Sequence, residues 1–355
     1  MAVSKVAIKN VHLFDGFSFH SSSTVVIDGD RFGSPNDTTG AEIIDGQGGF
    51  LIPGLIDSHV HIRDTKTLES FAEWGVTAAV DCGCWPVDLM QSLREHSTKA
   101  GVPALRCAGI VATAPGSVHS TFPGLPPSAL LAGAHQAEQF VENRVSEGVD
   151  LIKIVADFLG PNQDTVNALV AAARKRSKRS IIHASTSVAF NMALQARPDI
   201  ITHAPMDEVL DLETVAVMAA ARIVSIPTLT MEEALCNIKI RPNVDYSNAR
   251  LSVERQFAAG IPIFAGTDSN DSPMARVTHG ESIHRELELL VGAGLSPLEA
   301  LRSATVEPAH YFDFDSGIIQ MGRLANAVLL RSDPLVDIKA TRNIRMVWCR
   351  GTRVF

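Results

Sequence analysis

The chain has 355 residues, of which 46% are hydrophobic and 20% are charged, and its formal net charge is −8. This is the composition of an ordinary globular protein, long enough for one barrel of roughly 250 residues with about a hundred residues to spare. The negative charge argues against nucleic acid or an anionic membrane surface as the main partner.

The first residues, MAVSKVAIKN, contain no apolar stretch of the kind that a signal peptide needs. No apolar run in the chain approaches the ~18 residues of a membrane-spanning helix. We therefore expect a cytoplasmic protein that has no membrane partner. The five cysteines form no disulfide framework in a chain of this length.

The two ends of the chain predict one small β-domain. Residues 3–50 contain the short strand candidates VAIKNVHLF, STVVID and AEIIDG, separated by Asp-Gly and Gly-rich turns. The C-terminal stretch is similar, with NAVLL and RMVWCRGTRV. Because neither end alone is long enough to bury a core, we expect residues 1–51 and 318–355 to pair into a composite β-sandwich domain.

Between the two ends, strand-like apolar runs alternate with helical stretches. The eight strand candidates are LIPGLIDSHV, VTAAVDC, ALRCAGIV, LIKIVA, SIIHAS, DIITHA, RIVSIPTL and IPIFAGTD. Their continuous Val, Ile and Leu content is typical of parallel strands buried on both faces. Segments such as TVNALVAAARKR have helical apolar spacing. This alternation predicts an α/β fold, a (β/α)8 TIM barrel over residues 52–317.

Metal-ligand residue types recur at the ends of these strand candidates. The first ends in His59-Val60-His61, and side chains two apart on a strand share a face. The other ligand types are Lys153 on the fourth strand, His183 on the fifth, His203 on the sixth and Asp268 on the eighth. A lone histidine on an apolar strand is usually a core residue. Four histidines and an aspartate at functional strand ends instead predict a metal site, because each buried polar group without a partner costs roughly 1–3 kcal/mol.

This set resembles the amidohydrolase superfamily, whose pattern is His-x-His on strand 1, Lys on strand 4, His on strands 5 and 6 and Asp on strand 8. The matching segments are GLIDSHVH, LIKIV, IIHAS, ITHAP and AGTDS. The similarity covers essentially the whole chain. It is closest to the branch of imidazolonepropionase-like amidohydrolases and metal-dependent prolidases, to which HGESIHRELELLVGAGLSPLEALRSATVEPA and GRLANAVLLRSDPLVDI are similar.

The resemblance implies two divalent metal ions, zinc before manganese or iron. His59, His61 and Asp268 would hold one ion, and His183 with His203 the other. Lys153 would be carboxylated and bridge both, since an ammonium cannot ligate a dication whereas a carbamate offers two anionic oxygens. The alternatives for Lys153 are an ion pair with Asp157 or a site with one metal. The resemblance further implies a bridging hydroxide as nucleophile and Asp268 as general base and acid.

Three residues are candidates for contact with the substrate. An arginine at the spacing of Arg63 grips a substrate carboxylate in some cyclic-amide hydrolases of this superfamily, and the alternative is a loop salt bridge with Asp64. His119, after strand 3, resembles the branch's loop histidine that stabilises a developing oxyanion. His279 resembles the branch's His-Gly pair, either at the substrate or behind a metal ligand. The loops should also bring Trp85, Phe158, Thr230, Met231 and Met274 to the barrel mouth, and Asp57 should orient an imidazole.

The favoured function is metal-dependent hydrolysis of a C–N bond in a small amide, either an aminoacyl or N-acyl amino acid or a cyclic amide. A lactonase, an esterase or a deaminase could use the same metals. Superfamily deaminases usually hold one metal and lack the strand-4 lysine, so Lys153 weighs against that alternative. A non-catalytic barrel scaffold is disfavoured because all six ligand positions are retained. Apolar barrel helices also lead us to expect a homo-oligomer.

Overall fold

The structure is a computed structural model that describes residues 5–157, 159–239 and 242–355. The chain opens with four strands: β1 (Val6–Phe14), β2 (Phe19–Asp28), β3 (Arg31–Phe32) and β4 (Glu42–Pro53). β1 pairs with β2 in the antiparallel direction and with β4 in the parallel direction. The β2–β3 hairpin turns through Gly29, whose φ of 69° favours glycine. The N-terminal strands thus form one continuous piece of sheet.

Seven parallel strands follow, and most of their residues are buried. They are β5 (Leu55–Val60), β6 (Val76–Asp81), β7 (Ala104–Cys107), β8 (Leu151–Val155), β9 (Arg179–His183), β10 (Ile200–Thr202) and β11 (Val224–Ile226). Burial on both faces explains why these strands read as unbroken apolar runs rather than as alternating ones. The strand prediction is confirmed for these seven segments.

Helices connect the strands along the outside. They are α1 (Thr65–Ser70), α2 (Val87–His96), α3 (Ala137–Ser146), α4 (Gln163–Lys175), α5 (Ser187–Ala196), α6 (Leu212–Ala220), α7 (Leu229–Asn237), α8 (Tyr246–Ala258), α9 (Ser282–Gly292), α10 (Pro297–Ser303) and α11 (Val306–Tyr311). Short 3-10 turns span Phe71–Trp74, His119–Thr121, Pro127–Ala129, Ala134–Gln136 and Ile338–Arg342. Capping side chains define where several helices begin. For example, the side chain of Asn162, just before α4, accepts a hydrogen bond from the Thr165 N–H in the first turn.

The barrel strands pair in two sheets, β5-β6-β7 and β8-β9-β10-β11. One isolated bridge, between Ala112 and Ile154, joins the two sheets. On the other side, residues 261–268 lie between β11 and β5. That eighth segment forms an isolated bridge at Ile263, and Ser269, directly after it, bridges to Val60. Pro262 has no N–H to donate and Asp268 has a φ of 55°, so a regular ladder cannot run through the segment. The eight-stranded prediction therefore holds in order and direction, but the strands do not form one closed hydrogen-bonded sheet.

The C-terminal strands β12 (Ala327–Leu330), β13 (Ile344–Cys349) and β14 (Thr352–Arg353) return to the first sheet. Its order is β14-β13-β12-β4-β1-β2-β3, so one seven-stranded sheet draws on both ends of the chain. The prediction that the two ends pair is confirmed, and all seven strands belong to one hydrogen-bonded sheet. Ile8, Leu51 and Trp348 meet in its apolar cluster. Within the described ranges, no helix is both long and apolar enough to cross a bilayer.

Candidate metal centre and active site

The first histidine pair sits at the end of β5. His59 is fully buried, and its Nδ1 hydrogen-bonds to Thr202 Oγ1 at 2.8 Å. His61 directly follows the strand, and its Nε2 lies 3.0 Å from Asp268 Oδ1. The same carboxylate oxygen lies 3.5 Å from His59 Nε2. The ligand atoms of the three residues lie within 4.8 Å of one another, close enough to share one metal ion.

Asp268 is held in place by the backbone at the end of the eighth segment. Its φ of 55° is in the left-handed region, which aspartate tolerates better than most residues. Its N–H donates to the His59 carbonyl at 2.8 Å, so the carboxylate is fixed beside β5. The neighbouring Thr267 donates its N–H and hydroxyl to Asp57 at 3.0 and 2.7 Å. Asp57 also accepts from the His59 N–H, so it braces the backbone rather than an imidazole, and that part of the prediction is wrong.

Lys153 projects from β8 into the same space. It is buried, and its Nζ lies 3.4 Å from His59 Nε2. Burial lowers the pKa of Lys153, so the neutral amine forms more readily than in an exposed lysine. Asp157 lies close to His119 and His183, with ion-pair distances of 3.6 and 4.0 Å.

The second histidine pair comes from β9 and the end of β10. His203 Nε2 lies 2.8 Å from His183 Nδ1, and His203 Nδ1 lies 2.6 Å from Thr228 Oγ1. Asp268 Oδ2 is 3.8 Å from His203 Nδ1, which links this pair to the first one. The structure therefore brings together all six residues that the sequence predicted as metal ligands.

A second group of donor atoms involves two residues that the prediction did not include among the metal ligands, His119 and Asp157. The ligand atoms of His119, Asp157 and His183 also lie within 4.8 Å of one another. His119 Nδ1 is 3.6 Å and His183 Nε2 is 4.0 Å from Asp157 Oδ2. The sequence gives one sign that Asp157 belongs to the site. It lies two residues beyond β8, the strand that carries Lys153.

The protonation states of these residues suit metal binding. Burial, reinforced by the charge of Lys153, holds the pKa of His59 well below its usual range, and burial lowers the pKa of His203 to about 3. Burial alone would raise the pKa of Asp268, but the hydrogen bond from His61 and the nearby positive charges lower it. Neutral imidazoles beside an ionised carboxylate are the forms that ligate a divalent ion. This mixed nitrogen and oxygen set fits zinc, manganese or iron.

The predicted substrate contacts Arg63 and His279 have different surroundings. Arg63 is exposed, and its guanidinium carbon stacks 4.4 Å from the centroid of the Trp85 ring. Among the described residues no ion pair joins it to Asp64, whose side chain instead caps α1. His279 hydrogen-bonds through Nε2 to the His61 carbonyl at 2.9 Å, so it supports the backbone of a predicted ligand.

Of the other residues expected at the barrel mouth, three are buried and one is exposed. Trp85, Thr230 and Met231 are buried, and Thr230 donates both its N–H and its hydroxyl to Glu286 at 2.7 Å. Met274 is 63% exposed in the loop after the eighth segment. Phe158 lies outside the described residues.

Gly266 has no room for a side chain next to the centre. A Cβ there would meet Ile226 Cγ2 at 2.5 Å and both the N and Cβ of His59 at 3.0 Å. We expect Gly266→Ala to lower the free energy of unfolding by about 1–3 kcal/mol through overpacking. It should also displace His59 and reduce bound metal. Thermal unfolding and elemental analysis check both effects.

The matched control for this change is Gly292→Ala in α9, where an added Cβ meets nothing within 4 Å. That variant should be as stable as the parent or slightly more so, since alanine favours helices over glycine by about 1 kcal/mol. Equal behaviour of the two variants would contradict the steric account of Gly266.

Comparison with known proteins gives one family and a set of similar folds. Residues 50–354 match the family described as the amidohydrolase family. Adenine deaminase from Desulforamulus reducens is 25% identical, over 94% of this chain and 55% of its own length. The chain thus spans about half the length of that curated relative.

Two solved structures resemble the chain over nearly its whole length. A Xaa-Pro dipeptidase with methionine bound in its active site has a TM-score of 0.80 at 23% identity, covering 99% of both chains. A prolidase complexed with N-methylphosphonate-L-proline has a TM-score of 0.79 at 24% identity, also covering 99% of both chains. The α/β fold is therefore shared with these hydrolases from end to end.

Proposed function

This chain belongs to the amidohydrolase family, and from that premise we propose that it is a metal-dependent hydrolase cleaving the C–N bond of a small amide. The substrate would be an N-acyl or aminoacyl amino acid, or a cyclic amide. One observation carries the proposal: His59, His61 and Asp268, from opposite ends of the barrel sequence, place their ligand atoms within 4.8 Å of one another.

The proposed centre holds two divalent ions, with zinc as the first choice. His59, His61 and Asp268 hold one ion, and His183 with His203 hold the other. The separation of 2.8 Å between His183 Nδ1 and His203 Nε2 supports the second assignment. When bound, the ions supply Lewis-acid polarisation of the scissile carbonyl and lower the pKa of water.

Lys153 is proposed to join the two ligand sets as a carbamate. Its neutral amine adds to carbon dioxide, a nitrogen–carbon bond forms, and one proton is lost to solvent. The burial that lowers the pKa of Lys153 supports this step, because only the neutral amine has a lone pair to donate. The product offers two anionic oxygens in place of a buried cation.

Asp268 is proposed as the proton carrier of the reaction. Its carboxylate faces both histidine pairs, with Oδ1 at 3.0 Å from His61 and Oδ2 at 3.8 Å from His203. From that position it accepts the proton of the attacking water and passes it to the leaving nitrogen. His119, at the rim of the same space, would stabilise the negative charge that develops on the carbonyl oxygen.

Arg63 is proposed to bind a carboxylate of the substrate, with Trp85 holding its guanidinium plane. We expect Arg63→Ala to raise KM about 10- to 100-fold with little change in kcat, since the carboxylate contact is present in both substrate and transition state. Steady-state kinetics on a carboxylate-bearing amide and its methyl ester measure the effect. The ester should show no difference between parent and variant.

The control for Arg63 is Arg250→Ala, which removes an arginine that pairs with Glu254 along its own helix. A fall in kcat without a rise in KM in Arg63→Ala would contradict the binding role.

The names of the relatives give limited support to the substrate class. The dipeptidase holds methionine and the prolidase holds N-methylphosphonate-L-proline, as expected for substrates built on an amino acid. The adenine deaminase favours a second candidate, hydrolytic removal of an exocyclic amino group. Lys153 weighs against a deaminase, because deaminases of this superfamily usually lack the lysine on strand 4. Lactone or ester hydrolysis is a third candidate, because a metal-activated water attacks an ester carbonyl as well as an amide carbonyl.

A substrate panel tests these options. The purified enzyme is incubated with N-acyl amino acids, Xaa-Pro dipeptides, cyclic amides, lactones and adenine. Release of a free amino acid from the amides, absent in Asp268→Asn, is the expected result. Release of ammonia from adenine alone would replace the proposal with the deaminase, and turnover of lactones alone with the lactonase.

A further inference from the structure

Asp157 faces two histidines that come from different parts of the chain. It lies two residues beyond β8, and its side chain is 2% exposed. His119 stands on the 3-10 turn after β7 and His183 ends β9. The ring centroids of the two histidines are 4.6 Å apart. Asp157 Oδ2 lies 3.6 Å from His119 Nδ1 and 4.0 Å from His183 Nε2.

The two nitrogens of His183 face different neighbours. Nδ1 lies 2.8 Å from His203 Nε2, on the side of the proposed second ion. Nε2 lies on the side of Asp157. When Nδ1 is the ligand atom, the proton of the neutral ring is on Nε2 and can be donated to the carboxylate. A carboxylate that accepts from the far nitrogen of a ligating histidine fixes its tautomer and its orientation.

His119 needs the same carboxylate for a different reason. Its Nδ1 is buried and has no hydrogen-bond partner among the described residues, and Asp157 Oδ2 is the nearby acidic atom. At 3.6 Å the contact is slightly longer than a hydrogen bond, and such contacts often tighten when a site is loaded. A carboxylate has enough acceptor positions to serve both rings. Donation from Nδ1 leaves the Nε2 of His119 for the substrate, and Nε2 donates to a developing oxyanion when it carries a proton as well.

We propose that Asp157 is a positioning residue that orients the metal ligand His183 and the substrate-side residue His119 at the same time. The inference rests on the proposed function, since it needs an ion at His183 and a substrate at His119. Its consequence is a coupling: the loss of one carboxylate weakens binding of the second ion and misplaces a group that contacts the reacting carbonyl.

The first test is a zinc titration of metal-free protein against a competing chelator dye, using the parent, Asp157→Asn and His119→Asn. The parent should take up two equivalents. In Asp157→Asn the second equivalent should bind about 10- to 100-fold more weakly and the first unchanged, which is the usual effect of removing an outer partner of a ligating histidine. His119→Asn should bind both as the parent does.

The second test is a double-mutant cycle at saturating zinc. Asp157→Asn should lower kcat about 10- to 100-fold. The double variant with His119→Asn should be no slower than His119→Asn alone, because residues that act as a unit are not additive. The control is Asp150→Asn, at the opposite end of β8, where the carboxylate accepts from the Cys107 N–H and pairs with Arg94. It should cost stability but leave zinc affinity and kcat unchanged.

A third measurement needs no variant of Asp157. Imidazole nitrogen NMR on the zinc-loaded parent, with His119→Asn for assignment, should show protonated Nδ1 on His119 and protonated Nε2 on His183. The opposite tautomers, an unchanged second zinc affinity in Asp157→Asn, or additive effects in the cycle would each overturn the inference and leave the proposed function standing. A parent that binds no zinc would overturn both.

Discussion

Asp268→Asn should lower kcat about 10²- to 10⁴-fold, because asparagine neither accepts the proton of the attacking water nor returns it to the leaving nitrogen. The amide keeps the size of the side chain, and the backbone bond from residue 268 to the His59 carbonyl does not depend on it. The fold should therefore survive. Steady-state kinetics on the best amide of the panel, together with circular dichroism and thermal unfolding, measure both sides of this expectation.

Asp313→Asn is the matched control for that change. Asp313 pairs with Arg179 at 3.3 Å near the start of β9, at the opposite end of the strands from the site. Its variant should keep full activity, since exposed ion pairs contribute about 0–1 kcal/mol. If Asp268→Asn retained activity within tenfold of the parent, another group would have to carry the proton.

Removal of the metal should abolish activity and also weaken the fold. Dialysis against a chelator takes away the ions that polarise the carbonyl, so kcat should fall at least about 100-fold. It also removes binding energy from the folded state, worth about 4 kcal/mol where the free ion stands at a thousand times its dissociation constant. The melting temperature should fall accordingly.

Activity and thermal unfolding are measured before dialysis, after it, and after zinc, manganese or iron is added back in turn. Recovery of both properties with one of these ions identifies a competent metal. Full activity in chelator-treated protein free of metal would remove the ions from the reaction and would require a different chemistry at the same residues.

Much of the site was predictable because strand geometry is regular. His59 and His61 are two apart at the end of β5, and His183 and His203 occupy the same position on β9 and next to β10. Parallel strands bring their carboxyl ends to one face, so the sequence positions alone predict that these side chains converge. The structure agrees, with the ligand atoms of His61 and Asp268 3.0 Å apart.

The less regular contacts were not predictable in the same way. Asp157 and His119 lie in loops, and no sequence periodicity predicts the path of a loop. The distance of 3.6 Å between His119 Nδ1 and Asp157 Oδ2 is therefore known only from the folded structure. The sequence offers Asp64 as a local partner for Arg63, but the loop after β6 carries Trp85, and the guanidinium stacks on that ring instead. Asp57 shares a face with His59, yet Thr267 and the strand backbone use its acceptor positions.

The eighth strand shows the same limit at the level of the fold. IPIFAGTD has the composition of a strand, and its residues lie between β11 and β5 as expected. Its proline and the left-handed Asp268 interrupt the ladder. The expected domain boundaries and the homo-oligomer stay predictions.

The most direct test of the bridged two-metal centre is the metal content of protein purified without chelator, measured by elemental analysis for the parent and Lys153→Ala. We predict close to two equivalents of zinc or another divalent ion in the parent and a sharp fall in the variant, since a bridging carbamate can form only on the lysine amine. About one equivalent in both proteins would contradict the bridge and favour a single-metal deaminase.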